Sequence, residues 1–201
     1  MAMEAQKAES VGILAAGRTR LGTMVVMTVT AAVILAVAFA VNQPADASGA
    51  TAITVSAQAI GNPPQVGRPA PDFQARLLDG TPVSLVSLRG TPAWLTFGAS
   101  WCQPCRAENA DIDAMAAKYM GRLRVLQVYI SEDAATVADY VNRVRLTYGT
   151  IADPTTSLAA EYRILGIPSH FFIDANGLVQ NMRVGTLDPA SMEAALAGIL
   201  R

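Results

Sequence analysis

The chain has 201 residues, a formal net charge of −1 and a 52% share of hydrophobic residues. This near-neutral charge, without a long basic run, argues against nucleic acid as a partner. Two cysteines are too few for a disulfide-based scaffold. With only one histidine in addition, the chain has too few of the usual ligands for a zinc site. The length predicts one folded domain with appendages.

The N-terminal part of the chain predicts a single transmembrane anchor. A polar tail, residues 1–20, ends in Arg18 and Arg20, and an uncharged apolar run follows over residues 21–41. As a helix the run would span roughly 31 Å at about 1.5 Å per residue, enough to cross a bilayer core. The basic residues before it predict a cytoplasmic N-terminus and an extracytoplasmic domain. The alternative is secretion after cleavage near Ala47, but the run is long for a signal peptide.

The segment 42–66 predicts a flexible tether, because it is rich in Ala, Ser, Thr, Gly and Pro and has no sustained period. A folded domain over residues 67–201 follows. Asp79 and Gly80 lie between two short apolar runs and predict a hairpin near the start of this domain.

The rest of the domain predicts alternating strands and helices, joined or capped by short polar signals. Predicted strands cover 94–97, 123–130, 170–173 and 178–184, the last two joined at Asn176 and Gly177. Predicted helices cover 104–119, a segment capped by Ser131, 154–162, and a last segment from Asp188 to Leu200. This order predicts an α/β fold with a mixed central sheet flanked by helices.

The two cysteines, Cys102 and Cys105, enclose Gln103 and Pro104 where a predicted strand gives way to a helix. Free backbone N–H groups and the macrodipole at a helix N-terminus stabilise a thiolate and lower its pKa. We therefore expect Cys102 to be an exposed nucleophile and Cys105 to resolve the mixed disulfide that Cys102 forms. A purely structural disulfide is the alternative, but so small a loop constrains the unfolded chain little.

Glu108 is the next candidate, because helical spacing places it on one apolar stripe with Cys105, Ile112 and Met115. Burial there would raise its pKa and let it exchange a proton with Cys105. The alternative is a glutamate that complements the helix dipole with its head in water. Arg106, Asn109 and Asp113 are expected on the opposite, polar side.

Three further residues remain open on spacing alone. His170 is interpreted mainly as a strand residue with a satisfied ring, and otherwise as a proton-handling or metal-binding group. Trp101 is either a docking surface or a packing residue, and Pro168 is expected in the trans form because cis X-Pro bonds are rare.

Residues 66–201 resemble the thioredoxin superfamily, in particular membrane-anchored thiol–disulfide oxidoreductases of the TlpA and ResA type. The matching stretches lie at 66–73, 78–80, 83–85, 88–90, 99–108, 166–168 and 172–174, with Gly177. The resemblance implies a thioredoxin-like fold with an added N-terminal hairpin, a redox-active pair at Cys102 and Cys105, and no cofactor. It also implies that Pro168 is cis and faces the active site, that Glu108 is the family's glutamate, and that Trp101 and Ile167 join Pro168 in contacting substrate.

Two positions depart from the family's pattern. Thr96 stands where thioredoxin carries a buried aspartate, which supports Glu108 in the acid–base role. Gln103 stands where the family often has glutamate, which leaves the redox potential and the direction of electron flow open.

The resemblance implies a reductase of protein disulfides, supplied with electrons by a membrane thiol transporter, with apocytochrome c or copper-site proteins as substrates. One alternative is a peroxiredoxin-like thiol peroxidase, although Ala99 occupies the position where such enzymes need threonine. Another is a copper metallochaperone that uses Cys102, Cys105 and His170.

Overall fold

The computed structural model describes residues 22, 24–38, 54–55 and 63–201, which fall into two units, Met1–Ser48 and Gly49–Arg201. In the first unit, residues 24–38 form helix α1, whose apolar side chains are exposed. Among the described residues, no helix has both the length and the apolar character needed to cross a membrane. The predicted tail at 1–20, the ends of the predicted anchor and the cleavage position lie outside the described residues.

The second unit opens with a small antiparallel sheet of three strands in the order β1-β2-β3. These strands are β1 (Thr54–Val55), β2 (Phe73–Arg76) and β3 (Pro82–Ser84). Between β2 and β3, Asp79 Oδ1 accepts a hydrogen bond from the N–H of Thr81 at 2.8 Å, and Gly80 has φ of +84°. The predicted hairpin is confirmed. Since β1 lies within residues 42–66, the expected tether carries a short strand at these two positions.

The main sheet has five strands in the order β6-β5-β4-β7-β8. Its strands are β4 (Ala93–Gly98), β5 (Arg124–Ile130), β6 (Gly149–Asp153), β7 (Ser169–Ile173) and β8 (Val179–Val184). Strands β4, β5 and β6 are parallel, whereas β7 and β8 run antiparallel to their neighbours. The helices are α2 (Gln103–Lys118), α3 (Ala134–Val144), α4 (Ser157–Glu161) and α5 (Pro189–Ala197). This is the thioredoxin-like α/β fold with a mixed sheet.

Both faces of the sheet are covered, so every residue of the central strand β4 is buried. Leu95 and Phe97 pack on one face with the hairpin and α4. Trp94 packs on the other face with Ile112 of α2 and Met192 of α5. A strand buried on both faces reads as a continuous apolar run, which is why β4 could be predicted from the sequence.

Two helix starts differ from the prediction. Ser131 does not cap α3; it has φ of +58°, and Asp133 is the cap, accepting from the N–H of Thr136 at 2.8 Å. The helix predicted over 154–162 is shorter and covers Ser157–Glu161, because Thr156 before it has φ of +57° and the N–H of Ser157 donates to Asp153 Oδ1 at 2.8 Å. Strand β6, which ends at Asp153, was not predicted from the sequence.

The last helix begins as predicted. Asp188 Oδ1 accepts from the N–H of Ser191 at 2.7 Å, and Pro189 occupies the first turn. The helix ends at Ala197 rather than at Leu200.

Candidate active site

The two cysteines lie at the junction between β4 and α2, as predicted, and form a disulfide bond. Cys102 is the N-cap residue of α2, and its Sγ accepts a hydrogen bond from the N–H of Cys105 at 3.2 Å. Pro104 lies in the first turn, where its missing N–H leaves no bond unmade. The backbone amide and the helix dipole both favour negative charge at Cys102 Sγ.

Both cysteines are shielded in this disulfide form. Cys102 is 6% exposed and Cys105 is 2% exposed. The expectation of an exposed Cys102 is therefore wrong here, because Ala99 and Ile167 pack around the sulfurs. Of the pair, Cys102 still offers the more accessible surface.

The peptide bond between Ile167 and Pro168 is cis, so the base-rate expectation of trans is wrong and the family resemblance is right. Pro168 is buried, and its carbonyl oxygen accepts from the N–H of Gly185 at 2.8 Å. Ile167 packs against the cluster that contains both cysteines. Of Ile167 and Pro168, Ile167 is therefore the residue better placed to contact a substrate that approaches the disulfide.

Glu108 lies on the buried face of α2, one turn beyond Cys105, with only 3% of its surface exposed. Its Oε2 accepts a hydrogen bond from the N–H of Leu187 at 3.1 Å. Burial, reinforced by the nearby charge of Asp111, raises the pKa of Glu108 to about 7, against the lowering effect of the Leu187 amide. The alternative of a solvated glutamate is wrong.

His170 lies in β7, fully buried, and faces Glu108. Its Nε2 is 3.4 Å from Glu108 Oε1 and 3.3 Å from the carbonyl oxygen of Gly185. Burial lowers the pKa of His170 to about 4. The interpretation of a satisfied core histidine holds for one ring nitrogen only, because Nδ1 has no hydrogen-bond partner among the described residues.

His170 belongs to a row of polar side chains that crosses the sheet beneath α2. Thr96 of β4 pairs with His170 on one side and with Gln127 of β5 on the other. Thr96 is fully buried and Gln127 is 2% exposed. Within the described part of the chain, Thr96 Oγ1 and Gln127 Oε1 have no hydrogen-bond partner. The row therefore carries unmet hydrogen-bonding capacity close to the active site.

The family model of the AhpC/TSA family matches residues 66–182, more than half of the chain. The chain belongs to the AhpC/TSA family. The thioredoxin-like protein YneN of Bacillus subtilis is 30% identical over 135 residues, covering 66% of this chain and 79% of the relative. The thiol-disulfide oxidoreductase ResA of Geobacillus thermodenitrificans is 29% identical, covering 67% and 78%.

A solved structure supports the same assignment. The thiol:disulfide interchange protein of the thioredoxin family from Chlorobium tepidum superimposes with a TM-score of 0.61 at 28% identity, covering 70% of this chain and 99% of that one. Together with the CxxC disulfide, these similarities identify a thiol–disulfide oxidoreductase of the ResA type.

Glu132, which was not predicted as a site residue, follows β5 and is buried. Its Oε2 accepts from the N–H of Ser100 at 2.7 Å, and its Oε1 accepts from the hydroxyl of Ser100. These bonds hold the loop that leads into Cys102. The only signal in the sequence was an acidic residue at the carboxyl end of a buried strand next to β4.

Gly98 was also missed as a site residue. A Cβ at this position would lie 2.6 Å from Gln127 Nε2, 3.2 Å from Cys105 Cβ and 3.3 Å from Cys105 Sγ. A side chain at this position would force Gln127 to shift and would press on Cys105, so glycine suits the end of β4.

Asn109 is buried rather than solvent-facing, which corrects the expected polar side of α2. Its Nδ2 donates to Tyr140 at 2.8 Å, and its Oδ1 accepts from Tyr148 at 3.2 Å. Asp113, one turn further, accepts from both the N–H and the hydroxyl of Thr147. This side of α2 is therefore covered by α3 and by the segment before β6.

The surface around the site is apolar and open. Trp101 is 63% exposed, Leu165 fully exposed and Val184 77% exposed. A Cβ at Gly166 would lie 3.8 Å from Val184, so the loop before Pro168 runs close to the end of β8. Of these three residues, only Trp101 was predicted from the sequence.

The described residues contain no ligand set for the copper ion that a metallochaperone would bind. No group of three or more His, Cys, Asp and Glu side chains there is placed to hold a metal ion. His170 lies against Glu108 instead.

Proposed function

We propose that this protein reduces disulfide bonds in other proteins, outside the cytoplasm, through the Cys102–Cys105 couple. The observation that carries the proposal is the buried Glu108 one helical turn beyond Cys105, with a pKa of about 7. A carboxyl group with this pKa can both accept and return a proton near neutral pH. A purely structural disulfide has no need of such a group.

The first step is attack by the Cys102 thiolate on one sulfur of the substrate disulfide. A mixed disulfide forms between Cys102 and the substrate, and the other substrate sulfur leaves as a thiolate that takes a proton from water. The helix N-terminus stabilises the attacking thiolate, since Cys102 caps α2.

In the second step, Cys105 gives its thiol proton to the Glu108 carboxylate and attacks Cys102 Sγ. The disulfide of the protein forms and the second substrate sulfur leaves, receiving the proton that Glu108 holds. Two electrons have then passed to the substrate, and the protein must be reduced again by a thiol donor.

The apolar surface at Trp101, Leu165 and Val184 supports a protein as the substrate, because a polypeptide near its disulfide can cover such a patch. Through the family resemblance, apocytochrome c and copper-site proteins are the proposed substrates, and a membrane thiol transporter is the proposed electron donor.

The location is part of the same proposal. The uncharged run at 21–41, preceded by Arg18 and Arg20, supports a membrane anchor with its N-terminus in the cytoplasm and the oxidoreductase domain on the other side. A reporter fused after Arg201 that works only outside the cytoplasm would be active if this orientation is right, and silent if the domain stays inside.

The activity is tested by trapping. Full-length protein with Cys105→Ser, once reduced, is incubated with a protein that carries an accessible disulfide. Accumulation of a mixed disulfide through Cys102, absent from the matched Cys102→Ser variant, supports the mechanism, and no adduct in either variant contradicts it.

The direction of electron flow is tested by the reduction potential of the wild-type couple. A value near or below that of cytosolic thioredoxin supports a reductase, whereas one well above the glutathione pool means that the protein installs disulfides. Rapid peroxide consumption would favour the peroxidase alternative.

A further inference from the structure

We propose that His170 is a positioning residue for Glu108: its Nε2–H holds Glu108 Oε1 in place and stabilises the carboxylate that accepts the Cys105 proton. This inference rests on the proposed role of Glu108 in disulfide exchange. It gives a specific role to His170, which the sequence left open as a proton-handling group and to which the family resemblance assigns no role.

The two carboxylate oxygens of Glu108 have separate partners. Oε2 accepts from the N–H of Leu187 at 3.1 Å, which fixes one end of the group. Oε1 faces His170 Nε2 at 3.4 Å, and no other protein donor to it is seen among the described residues. The imidazole is therefore the contact that positions the second carboxylate oxygen.

The Gly185 carbonyl oxygen, 3.3 Å from the same Nε2, decides which ring nitrogen carries the proton. A carbonyl oxygen only accepts, so it favours hydrogen on Nε2 and leaves Nδ1 bare. Nδ1 indeed has no partner among the described residues. The one hydrogen on Nε2 is then shared between two acceptors, the Gly185 carbonyl oxygen at 3.3 Å and, slightly further away, Glu108 Oε1 at 3.4 Å.

The pair is not an ion pair. Burial lowers the pKa of His170 to about 4 and raises that of Glu108 to about 7, so burial disfavours charge on both groups. The neutral imidazole then acts on Glu108 as a hydrogen-bond donor and holds the carboxylate form against the desolvation that opposes it.

Few other ionisable groups bear on Glu108. On α2 itself, Cys105 lies one turn earlier and the carboxylate of Asp111 adds to the rise in its pKa. Tyr148, before β6, is a phenol whose own pKa is raised mainly by burial and, to the smallest extent among the causes, by the charge of Glu108. From β4 and β5 the facing groups in the polar row, Thr96 and Gln127, do not titrate.

The matched variants are His170→Phe, which keeps a ring but has no donor, and His170→Gln, which keeps an amide N–H. Loss of the donor should raise the pKa of Glu108 by about one unit, the lower end expected for a hydrogen bond to a charged group. At neutral pH the ionised fraction of Glu108 would then fall by about fivefold. His170→Gln should restore much of this loss.

Carbon-13 NMR of the glutamate side-chain carboxyls in the full-length oxidised protein measures this pKa, with Glu108→Gln identifying the signal. Nitrogen-15 NMR of the imidazole reads the tautomer directly, because His170 is the only histidine in the chain. We expect hydrogen on Nε2 in the wild type, a raised Glu108 titration in His170→Phe, and a slower attack by Cys105 at neutral pH.

An unchanged Glu108 titration in His170→Phe, or hydrogen on Nδ1 in the wild type, overturns the inference. A His170→Phe effect on the Cys105 step that persists in the Glu108→Gln background also overturns it, because His170 would not then act through Glu108. Should His170→Phe fail to fold, the wild-type tautomer and the His170→Gln titration decide. A failed trapping experiment with these NMR results intact would instead remove the proposed function.

Discussion

Replacing Glu108 by Gln should make the protein more stable at alkaline pH. The raised pKa of Glu108, about 7 against 4.5 for the free side chain, means that the folded state binds its proton more tightly than the unfolded state. The stability gained from that proton is fully present below the unfolded pKa and is lost as the pH rises toward the folded pKa. Above both values, the wild type must bury a charge that glutamine lacks.

The magnitude follows from the size of the shift. A rise from 4.5 to about 7 corresponds to about 3 kcal/mol of differential stability, using roughly 1.4 kcal/mol per pKa unit. Solvent screens this charge only weakly, because Glu108 is 3% exposed. The amide oxygen of glutamine can still accept from the N–H of Leu187, so the change removes the charge and keeps that contact.

The assay is urea unfolding of the oxidised protein, followed by circular dichroism, at several values between pH 4.5 and pH 8. The stability of Glu108→Gln relative to wild type should rise across this interval by up to about 3 kcal/mol. The control is Glu193→Gln, which removes an exposed carboxylate whose pKa is lowered by its hydrogen bond to Lys118. Its effect on stability changes only below about pH 4.5 and should be nearly constant across this interval. Parallel pH profiles for the wild type and Glu108→Gln would refute the reasoning.

Three further changes test the surroundings of the site. Gly98→Ala should destabilise the fold by about 1–3 kcal/mol in urea unfolding, because the new methyl group meets Gln127; an unchanged midpoint would show that the side chain moves aside freely. Glu132→Ala should lower the free energy of unfolding by about 1–3 kcal/mol, because the loop before the CxxC loses its buried acceptor. Faster hydrogen exchange of the amides in that loop would show that the loss of stability is local to it. Leu165→Ser should reduce kcat/KM for a protein disulfide with no loss of stability, whereas Met120→Ser, an exposed control just beyond the C-terminal end of α2, should not reduce it; equal effects of both would contradict a docking role.

The site was predictable where local pattern and chemistry coincide. Cys102 and Cys105 lie at a strand–helix junction that the sequence marks by an apolar run followed by a helix-compatible proline. Glu108 could be assigned to the buried face because helical spacing alone relates it to Cys105. The hairpin at Asp79 and Gly80 followed from its turn residues in the same way.

What could not be predicted depends on contacts between distant segments. His170 reaches Glu108 only because β7 pairs with β4, a juxtaposition that no short spacing encodes. Asn109 was expected to face solvent, because helical spacing does not show that α3, from another part of the chain, covers this side of α2. Strand β6 was missed because its residues, from Gly149 to Asp153, are few and include small and acidic types that favour loops.

The two tryptophans provide separate optical signals from the two sides of the active site. Trp101, 63% exposed and next to Cys102, should emit at longer wavelength and respond when the disulfide opens. Trp94 is fully enclosed, with its ring centroid 5.9 Å from that of His170, and should emit at shorter wavelength and respond to the state of the imidazole. One emission spectrum of the unmodified protein therefore reports on the thiols and on the proton-handling pair beneath them.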